Sequence, residues 1–368
     1  MSAIRRVAVV GCGGMGRHHL QVLAELEGFD TVALCDVSTE ALQRSGQEYG
    51  VDGQYTDIEA MLDKAQPDIV VVGTQTRHHH GPTVAALRRG VSVLCEKPIS
   101  IDLVEADEMV EAARASGAKL AINQQNHVNP AVVKARQMID AGAIGDIIMV
   151  RGRNKHGRKS GNEFTEMGTH VTDMMMVMGG TPVWVSGTVT WEGRAAEVGD
   201  IMEAKQMSPK DRDSGLVVGE RALGQYGFAG GILGEIQFLG YDKTNGDNYG
   251  VDILGSEGQL AVRATGTLPG GLWHLPRTME GSPADFGDWQ AVDIGEVNGR
   301  QNTMVHMYRS FAQAVEADVE PPGSGAEGRM AFEMILGIYQ SHREGGRRVP
   351  LPLVDRRHPL KAWQSEAK

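Results

Sequence analysis

A glycine-rich turn near the N-terminus constrains the fold of this chain more than any other feature. Residues 11–16 read Gly-Cys-Gly-Gly-Met-Gly, and they follow a short apolar run at residues 5–10. Helical spacing of apolar side chains begins at residues 17–27. A buried strand, a glycine turn and a helix in this order predict the first unit of a parallel sheet covered by helices.

Asp36 completes this pattern, because it stands 20 residues after Gly16 (36 − 16) at the end of the next predicted strand. In a dinucleotide-binding loop, Gly11 makes the turn, Gly13 lets a pyrophosphate approach the backbone, and Gly16 lets the helix pack closely. The Asp36 carboxylate would accept hydrogen bonds from a ribose and repel a 2′-phosphate, and residues 37–43 contain no Arg or Lys. We therefore predict NAD as the cofactor, bound by Gly11, Gly13, Gly14, Met15, Gly16 and Asp36.

Periodicity along the chain predicts two domains, as does its length of 368 residues. Strand and helix patterns alternate up to about residue 121, which predicts a doubly wound parallel sheet of the Rossmann type over residues 1–121. Residues 122–368 carry longer alternating stretches and two late helices, which predict an α/β domain with a large open, mostly antiparallel sheet. Residues 196–215 and 265–300 are expected to be loops.

Composition excludes several classes of protein. The net charge of −11 disfavours nucleic-acid binding, and three scattered cysteines form neither a disulfide framework nor a zinc site. No apolar run approaches the length of a membrane span, and no secretory signal is apparent, so we expect a cytoplasmic protein. Adjacent histidines at residues 78–80 point in different directions, so no metal site is expected.

A lysine follows the predicted strand that ends with Cys95, in the sequence Cys95-Glu96-Lys97-Pro98. Ligands bind at the carboxyl ends of strands in such sheets, so Lys97 could lie at a reacting carbon. A surface ion pair between Glu96 and Lys97 is the alternative, and position alone does not separate the two.

The order of these motifs resembles the glucose–fructose oxidoreductase, inositol dehydrogenase and rhizopine-catabolism (Gfo/Idh/MocA) family over nearly the whole chain. The resemblance rests on the glycine loop, Thr74, His79 and Glu96-Lys97-Pro98. Three turns or strands later in the chain also match, at residues 142–145, 255–258 and 349–352. The resemblance implies NAD as the cofactor, hydride transfer to or from a sugar or polyol, and a homo-oligomer (dimer or tetramer) formed through the C-terminal sheet. It also implies five cofactor-binding residues: Thr74, His79, Glu96, Lys97 and Gln125.

The second domain supplies the remaining candidates. Glu166 and His170 are four residues apart and share a face if that stretch is helical. By the resemblance, Lys97, His170 and Glu166 are catalytic, with His170 taking the hydroxyl proton. This chain has Glu166 where the family usually has Asp. Before Pro130 it has Asn126, His127 and Val128, where the family often has an Arg followed by an aromatic residue. The predicted substrate-binding residues are Asn126, His127, Lys155, Arg158, Glu166 and His170.

A basic run from Arg151 to Lys159 leads into this segment. It is either a solvated strand face or a site for an anionic group of the substrate. The second interpretation predicts a preference for an acidic sugar.

The sequence thus predicts an NAD-dependent oxidoreductase acting on a ring hydroxyl or ketone of a sugar or cyclic polyol. A redox-neutral, NAD-dependent glycosidase is the first alternative, and net NADH production would separate the two. A non-catalytic nucleotide-sensing regulator is the second, and the presence of both Lys97 and His170 argues against it. No nucleic-acid or membrane partner is expected.

Overall fold

A computed structural model describes residues 4–154, 161–207, 215–240, 249–264, 271–276, 288–295 and 299–367. The chain forms two compact units. The first consists of Met1–Gln125 and Thr303–Arg329, and the second of Asn126–Asn302 and Met330–Lys368. Sequence periodicity places the whole of residues 122–368 in one domain, whereas the contacts return Thr303–Arg329 to the first unit.

A six-stranded parallel sheet forms the centre of the first unit and confirms the predicted doubly wound fold. Its strands run in the order β3-β2-β1-β4-β5-β6. They are β1 (Arg5–Val10), β2 (Phe29–Cys35), β3 (Gln54–Tyr55), β4 (Ile69–Val72), β5 (Ser92–Cys95) and β6 (Leu120–Ile122). The helices between them are α1 (Gly14–Ala24), α2 (Thr39–Tyr49), α3 (Ile58–Ala65), α4 (His80–Arg88) and α5 (Leu103–Ser116). The strand order reverses between β1 and β4, where such sheets bind ligands.

Local sequence explains these elements. Every residue of β4 and β5 is buried, as expected of apolar strands covered by helices on both faces. Three helices begin at a side-chain cap, since Ser38, Asp57 and Asp102 each accept a hydrogen bond from a backbone N–H of the first turn.

A mixed sheet of ten strands forms the second unit. Its main path runs β17-β16-β15-β14-β7-β13-β12-β8-β18, with β9 paired to β8. Apart from the parallel pair β7–β13, its described pairs are antiparallel, as predicted. These strands are β7 (Ile147–Arg153), β8 (Pro182–Trp191), β9 (Arg194–Ala195), β12 (Arg221–Phe228), β13 (Leu233–Phe238), β14 (Gly250–Gly255), β15 (Gln259–Arg263), β16 (Leu272–Leu275), β17 (Gln290–Ala291) and β18 (Val349–Pro350).

The other elements of the C-terminal part are a short ribbon and helices. A separate two-stranded ribbon pairs β10 (Met202–Glu203) with β11 (Leu216–Val217). The helices are α6 (Pro130–Asp140), α7 (Gly161–Glu166), α8 (Gly168–Gly179), α9 (Ala204–Met207), α10 (Gly299–Ala317), α11 (Gly325–Arg343) and α12 (Pro359–Glu366). The loops expected at 196–215 and 265–300 therefore contain short elements, which are two to four residues long and too short to show a period.

The segment Thr303–Arg329 joins the first unit through backbone contacts with β6. Ile122 donates its N–H to the carbonyl of Gly323 at 2.7 Å, and Lys119 forms an ion pair with Asp318 at 2.7 Å. A Cβ atom on Gly328 would lie 2.3 Å from the Ile122 side chain, so α11 packs against β6 at close range. Local sequence patterns do not indicate that residues 303–329 pack against β6. The domain boundaries predicted from the sequence therefore differ from those of the structure.

The mixed sheet has one covered face and one open face. Val150 and Gly152 of β7 are buried, and a Cβ on Gly152 would lie 2.6 Å from Val171 and Met175 of α8. Ile148, Leu223 and Leu233 point the other way and are 47%, 52% and 49% exposed. Among the described residues, no helix combines the length and apolar character needed to cross a membrane.

Candidate functional site

The glycine loop between β1 and α1 has a backbone that requires glycine at two positions. Gly11 has a φ of +91°, and a Cβ there would lie 2.8 Å from the N of Thr74. A Cβ on Gly16 would lie only 1.7 Å from the carbonyl oxygen of Gly11. The loop therefore turns sharply and α1 starts directly against it, as the fingerprint predicts.

The outer side of the same loop is open. A Cβ on Gly13 or Gly14 would meet no atom within 4 Å, and both residues are exposed. Gly13 is the N-cap of α1 and supplies no side-chain cap, and Met15 beside it is half-buried. The N–H groups of the first helical turn thus face a space that a phosphate could fill.

Asp36 connects the loop to the end of β2. Its Oδ2 accepts the N–H of Cys12 at 2.6 Å, and its Oδ1 accepts the N–H of Ser38 at 2.8 Å. A carboxylate has about four acceptor positions, so both oxygens keep capacity for ribose hydroxyls. The hydroxyl of Thr74, at the end of β4, is buried and has no hydrogen-bond partner among the described residues. The open glycines, Asp36 and this hydroxyl fit a dinucleotide.

Glu96 is buried, which overturns the interpretation as a surface ion pair. Its Oε1 accepts hydrogen bonds from His19 Nε2 at 3.0 Å and Asn123 Nδ2 at 2.7 Å, and its Oε2 accepts the N–H of Lys97 at 3.2 Å. Burial raises the pKa of Glu96, but the His19 and Asn123 hydrogen bonds and the charges of His19 and Lys97 outweigh it and hold the pKa at about 2. Its carboxylate is thus directed at protein groups, which gives it a supporting position, and its cofactor contact stays a prediction.

His79 has a similar supporting position. The ring is buried, with Nδ1 at 2.9 Å from the carbonyl of Pro98 and Nε2 at 3.2 Å from the carbonyl of Thr74. Burial lowers the pKa of His79, against the opposing effect of these two carbonyls. His78 is exposed and His80 pairs with Glu108 at 2.7 Å. Within the described ranges, no three His, Cys, Asp or Glu side chains gather in a way that could hold a metal.

Amide side chains follow β6 at residues 123–126. Gln125, a predicted cofactor ligand, accepts a hydrogen bond from the Thr303 hydroxyl at 3.1 Å through Oε1. Gln124 is fully buried, and its amide has no hydrogen-bond partner in the described part of the chain. Sequence reasoning missed His19, Asn123, Gln124, Thr303 and Tyr308, although His19 lies only three residues beyond the glycine motif.

The second unit contains the other candidates around α8. His170 is half-buried, and its backbone carbonyl accepts a hydrogen bond from Asn126 Nδ2 at 3.4 Å. Asn126 also bonds the hydroxyl of Tyr249 at 3.3 Å. His127 Nε2 lies 2.8 Å from Oδ1 of the fully buried Asp173. Asn126 and His127 are therefore held against the helix that carries His170.

Glu166 and His170 do not lie on one continuous helix, contrary to the simplest expectation. Glu166 ends α7 and is half-buried, Met167 intervenes, and His170 lies in the first turn of α8. A Cβ on Gly168 would come within 2.7 Å of Ile335, so close packing on α11 determines where α8 begins. The spacing of four residues does not reveal this break.

The basic run divides into two parts. Arg151 and Arg153 lie on the open face of the sheet, opposite the residues that face α8, and pair with Glu235 and Asp252 respectively. For these two residues the ion pairs favour the solvated-face interpretation, and the anion site stays a prediction. Lys155 and Arg158 lie outside the described residues.

Known proteins resemble this chain in sequence and in fold. Residues 5–124 match the model of an oxidoreductase family with an NAD-binding Rossmann fold. D-apiose dehydrogenase of Paraburkholderia graminis is 25% identical over 92% of this chain and 88% of its own length. Myo-inositol 2-dehydrogenase of Thermotoga maritima is 24% identical over 90% of this chain and 94% of its own length. A levoglucosan dehydrogenase solved with NADH has the same fold, with a TM-score of 0.77 and 20% identity over 95% of this chain and all of that one.

Replacing single glycines of the loop should separate folding from cofactor binding. We expect Gly13→Ala to leave Tm within about 2 °C of wild type but to weaken NAD binding about tenfold or more, because its Cβ projects into the space for phosphate. Gly16→Ala should lower Tm strongly, because its Cβ meets a backbone carbonyl. Thermal unfolding and calorimetric titration with NAD measure both effects. Unchanged NAD affinity in Gly13→Ala would show that the phosphate does not lie against this loop.

Asp36 should make the protein bind NAD more tightly than NADP. A 2′-phosphate would bring negative charge next to a carboxylate that the Cys12 and Ser38 N–H groups hold in place. We expect Asp36→Ser to reduce the ratio of NAD to NADP affinity by about tenfold or more. Titration of both nucleotides into wild type and variant measures this ratio. Equal or tighter binding of NADP by the wild type is incompatible with this role.

Proposed function

We propose that this chain, which resembles the Gfo/Idh/MocA family of NAD-dependent oxidoreductases, transfers a hydride between NAD and a ring hydroxyl or ketone of a sugar or cyclic polyol. One observation carries the proposal. A glycine loop open to a dinucleotide and a lysine with its backbone fixed by a buried carboxylate lie at the same edge of one parallel sheet. Sugar and polyol dehydrogenases among the relatives support the substrate class.

Each side chain then has a defined task. The glycine loop and Asp36 hold NAD, which supplies the hydride acceptor when bound. The ammonium group of Lys97 hydrogen-bonds the reacting oxygen and stabilises the negative charge that develops there. The imidazole of His170 takes the hydroxyl proton, since histidine titrates near neutral pH. Glu166, Asn126 and His127 orient the substrate.

We propose a neutral sugar or polyol as the substrate. Arg151 and Arg153 pair with carboxylates and face away from α8, so they supply no positive charge to a substrate beside His170. An acidic sugar is the alternative, and that preference would depend on the basic residues from Lys155 to Lys159.

Self-association through the open face of the mixed sheet is a further part of the proposal. Ile148, Leu223 and Leu233 form an exposed apolar group on this face. The guanidinium of Arg348 stacks on the ring of Trp184 at 4.1 Å, and aromatic and Arg side chains of this kind are enriched in protein interfaces. Two copies related by a twofold axis could cover these residues.

Variants of Lys97 and His170 test the assigned chemistry. With D-apiose, myo-inositol and levoglucosan as trial substrates, Lys97→Met and His170→Ala should lower kcat by about 10²- to 10⁴-fold, as for loss of a general acid–base group. NAD affinity should fall more in Lys97→Met than in His170→Ala. Formation of NADH followed by absorbance gives kcat, and titration gives the affinity.

The matched controls are Lys119→Met and His80→Ala, which remove the same side chains where each pairs with an acidic residue elsewhere in the first unit. Both controls should retain wild-type kcat. Near-normal turnover in Lys97→Met or His170→Ala would refute the corresponding role. Cleavage of a glycoside without net NADH would instead identify the redox-neutral glycosidase.

A further inference from the structure

A chain of buried hydrogen bonds extends from α10 to the backbone of Lys97. The hydroxyl of Tyr308 lies 2.7 Å from His19 Nδ1, and His19 Nε2 lies 3.0 Å from Glu96 Oε1. Asn123 donates to the same Glu96 oxygen at 2.7 Å, while the second Glu96 oxygen accepts the N–H of Lys97 at 3.2 Å. These hydrogen bonds are buried, since the residues that form them with their side chains are at most 5% exposed, namely His19, Tyr308, Asn123 and Glu96. These hydrogen bonds thus connect α10, α1, the end of β6 and the end of β5.

We propose that Tyr308, His19 and Asn123 are positioning residues that fix Lys97 for catalysis through the carboxylate of Glu96. The inference rests on the role proposed above for Lys97. None of the three side chains bonds Lys97 itself in the contacts that the structure describes, so each acts on the lysine through Glu96.

The energetic cost of burying the Glu96 carboxylate indicates that it orients its neighbours and does not serve the stability of the fold alone. A buried charge incurs a desolvation cost, and apolar residues of similar volume often stabilise a core as well or better. Here three hydrogen bonds converge on Glu96, two of them on one oxygen. A carboxylate with both oxygens bonded has a fixed orientation, and it transfers that orientation to the adjacent N–H of Lys97.

Tyr308 fixes the orientation of the His19 ring. Burial raises the pKa of Tyr308 well above its ordinary value, and the charge of Glu96 raises it further, so the phenol keeps its proton. The Tyr308 hydroxyl lies 2.7 Å from Nδ1, and Nε2 donates to Glu96, because an ionised carboxylate only accepts hydrogen bonds. The hydroxyl therefore keeps Nε2 directed at Glu96, although three hydrogen bonds separate it from the Lys97 backbone.

The position of His19 connects the lysine to the cofactor loop. His19 is on α1, three residues beyond Gly16, and a Cβ on Gly73 would lie 3.6 Å from its ring. Glu96 thus fixes the Lys97 backbone relative to the helix whose N-terminus faces the phosphate space. Misplacement of a reacting group by about 1 Å can reduce a rate about 10²-fold, so a small loss of alignment is measurable.

Removal of a single hydroxyl group tests this inference most cleanly. Tyr308→Phe should lower kcat about tenfold while KM and the Kd for NAD change less than about twofold. Tyr226→Phe is the matched control, because the Tyr226 hydroxyl is also buried and donates to the carbonyl of Met334 at 3.1 Å. Both variants should lose similar thermal stability, but Tyr226→Phe should retain wild-type kcat. The assay uses whichever of D-apiose, myo-inositol and levoglucosan has the highest kcat/KM.

Two substitutions of His19 provide a rescue test. His19→Leu leaves Glu96 without this donor and should lower kcat about 10²-fold, whereas the amide of His19→Gln can still donate and should recover most of that loss. The backbone amide proton of Lys97 gives a readout without turnover. In ¹⁵N spectra of the protein it should exchange faster with solvent in His19→Leu than in wild type or His19→Gln.

The outcomes separate this inference from the proposed function. Wild-type kcat in Tyr308→Phe and His19→Leu, together with loss of activity in Lys97→Met, would overturn the positioning role and leave the function intact. Equal kcat losses in Tyr308→Phe and Tyr226→Phe would also overturn it, because stability alone would then explain both. If Lys97→Met keeps full activity, the proposed function fails, and an unchanged Lys97 amide in His19→Leu would then separately refute the positioning chain.

Discussion

The contact between Gly16 and the carbonyl of Gly11 determines the layout of the first unit. It allows α1 to begin directly against the end of β1. Gly73, at the end of β4, is also close, since a Cβ on Gly73 would lie 3.1 Å from Gly16. A side chain at either position would displace the helix. Two consequences follow from this position of α1: its N-terminus faces an open space lined by Gly13 and Gly14, and His19, one turn later, reaches the buried carboxylate of Glu96.

A carboxylate–imidazole pair recurs in the two units. Glu96 accepts a hydrogen bond from His19 in the first, and Asp173 lies 2.8 Å from His127 in the second. Both carboxylates are buried, and each is next to or one helical turn from a candidate catalytic residue, Lys97 or His170. Three hydrogen bonds converge on Glu96 and make it rigid, and rigidity is what proton and hydride transfer require of the groups around them.

Local patterns predicted much of this structure, and long-range contacts account for the rest. The glycine loop, the strand ends at Asp36 and Glu96, and the mostly antiparallel second sheet follow from signals within a few residues of each feature. The return of Thr303–Arg329 to β6 and the bond from Tyr308 to His19 join residues far apart in sequence. The Glu-Lys-Pro motif identifies Lys97 as a candidate, but it does not predict which groups the Glu96 carboxylate contacts.

Transfer of a labelled hydride tests the central claim most directly. The protein is incubated with NAD and myo-inositol, or with D-apiose or levoglucosan if these are better substrates, carrying deuterium on the ring carbons. Proton NMR of the recovered nucleotide then reports its label. The proposed function predicts one deuterium at C4 of the nicotinamide and one NADH for each ketone formed. Recovery of unlabelled nucleotide, or deuterium retained in the sugar with no net NADH, would contradict it.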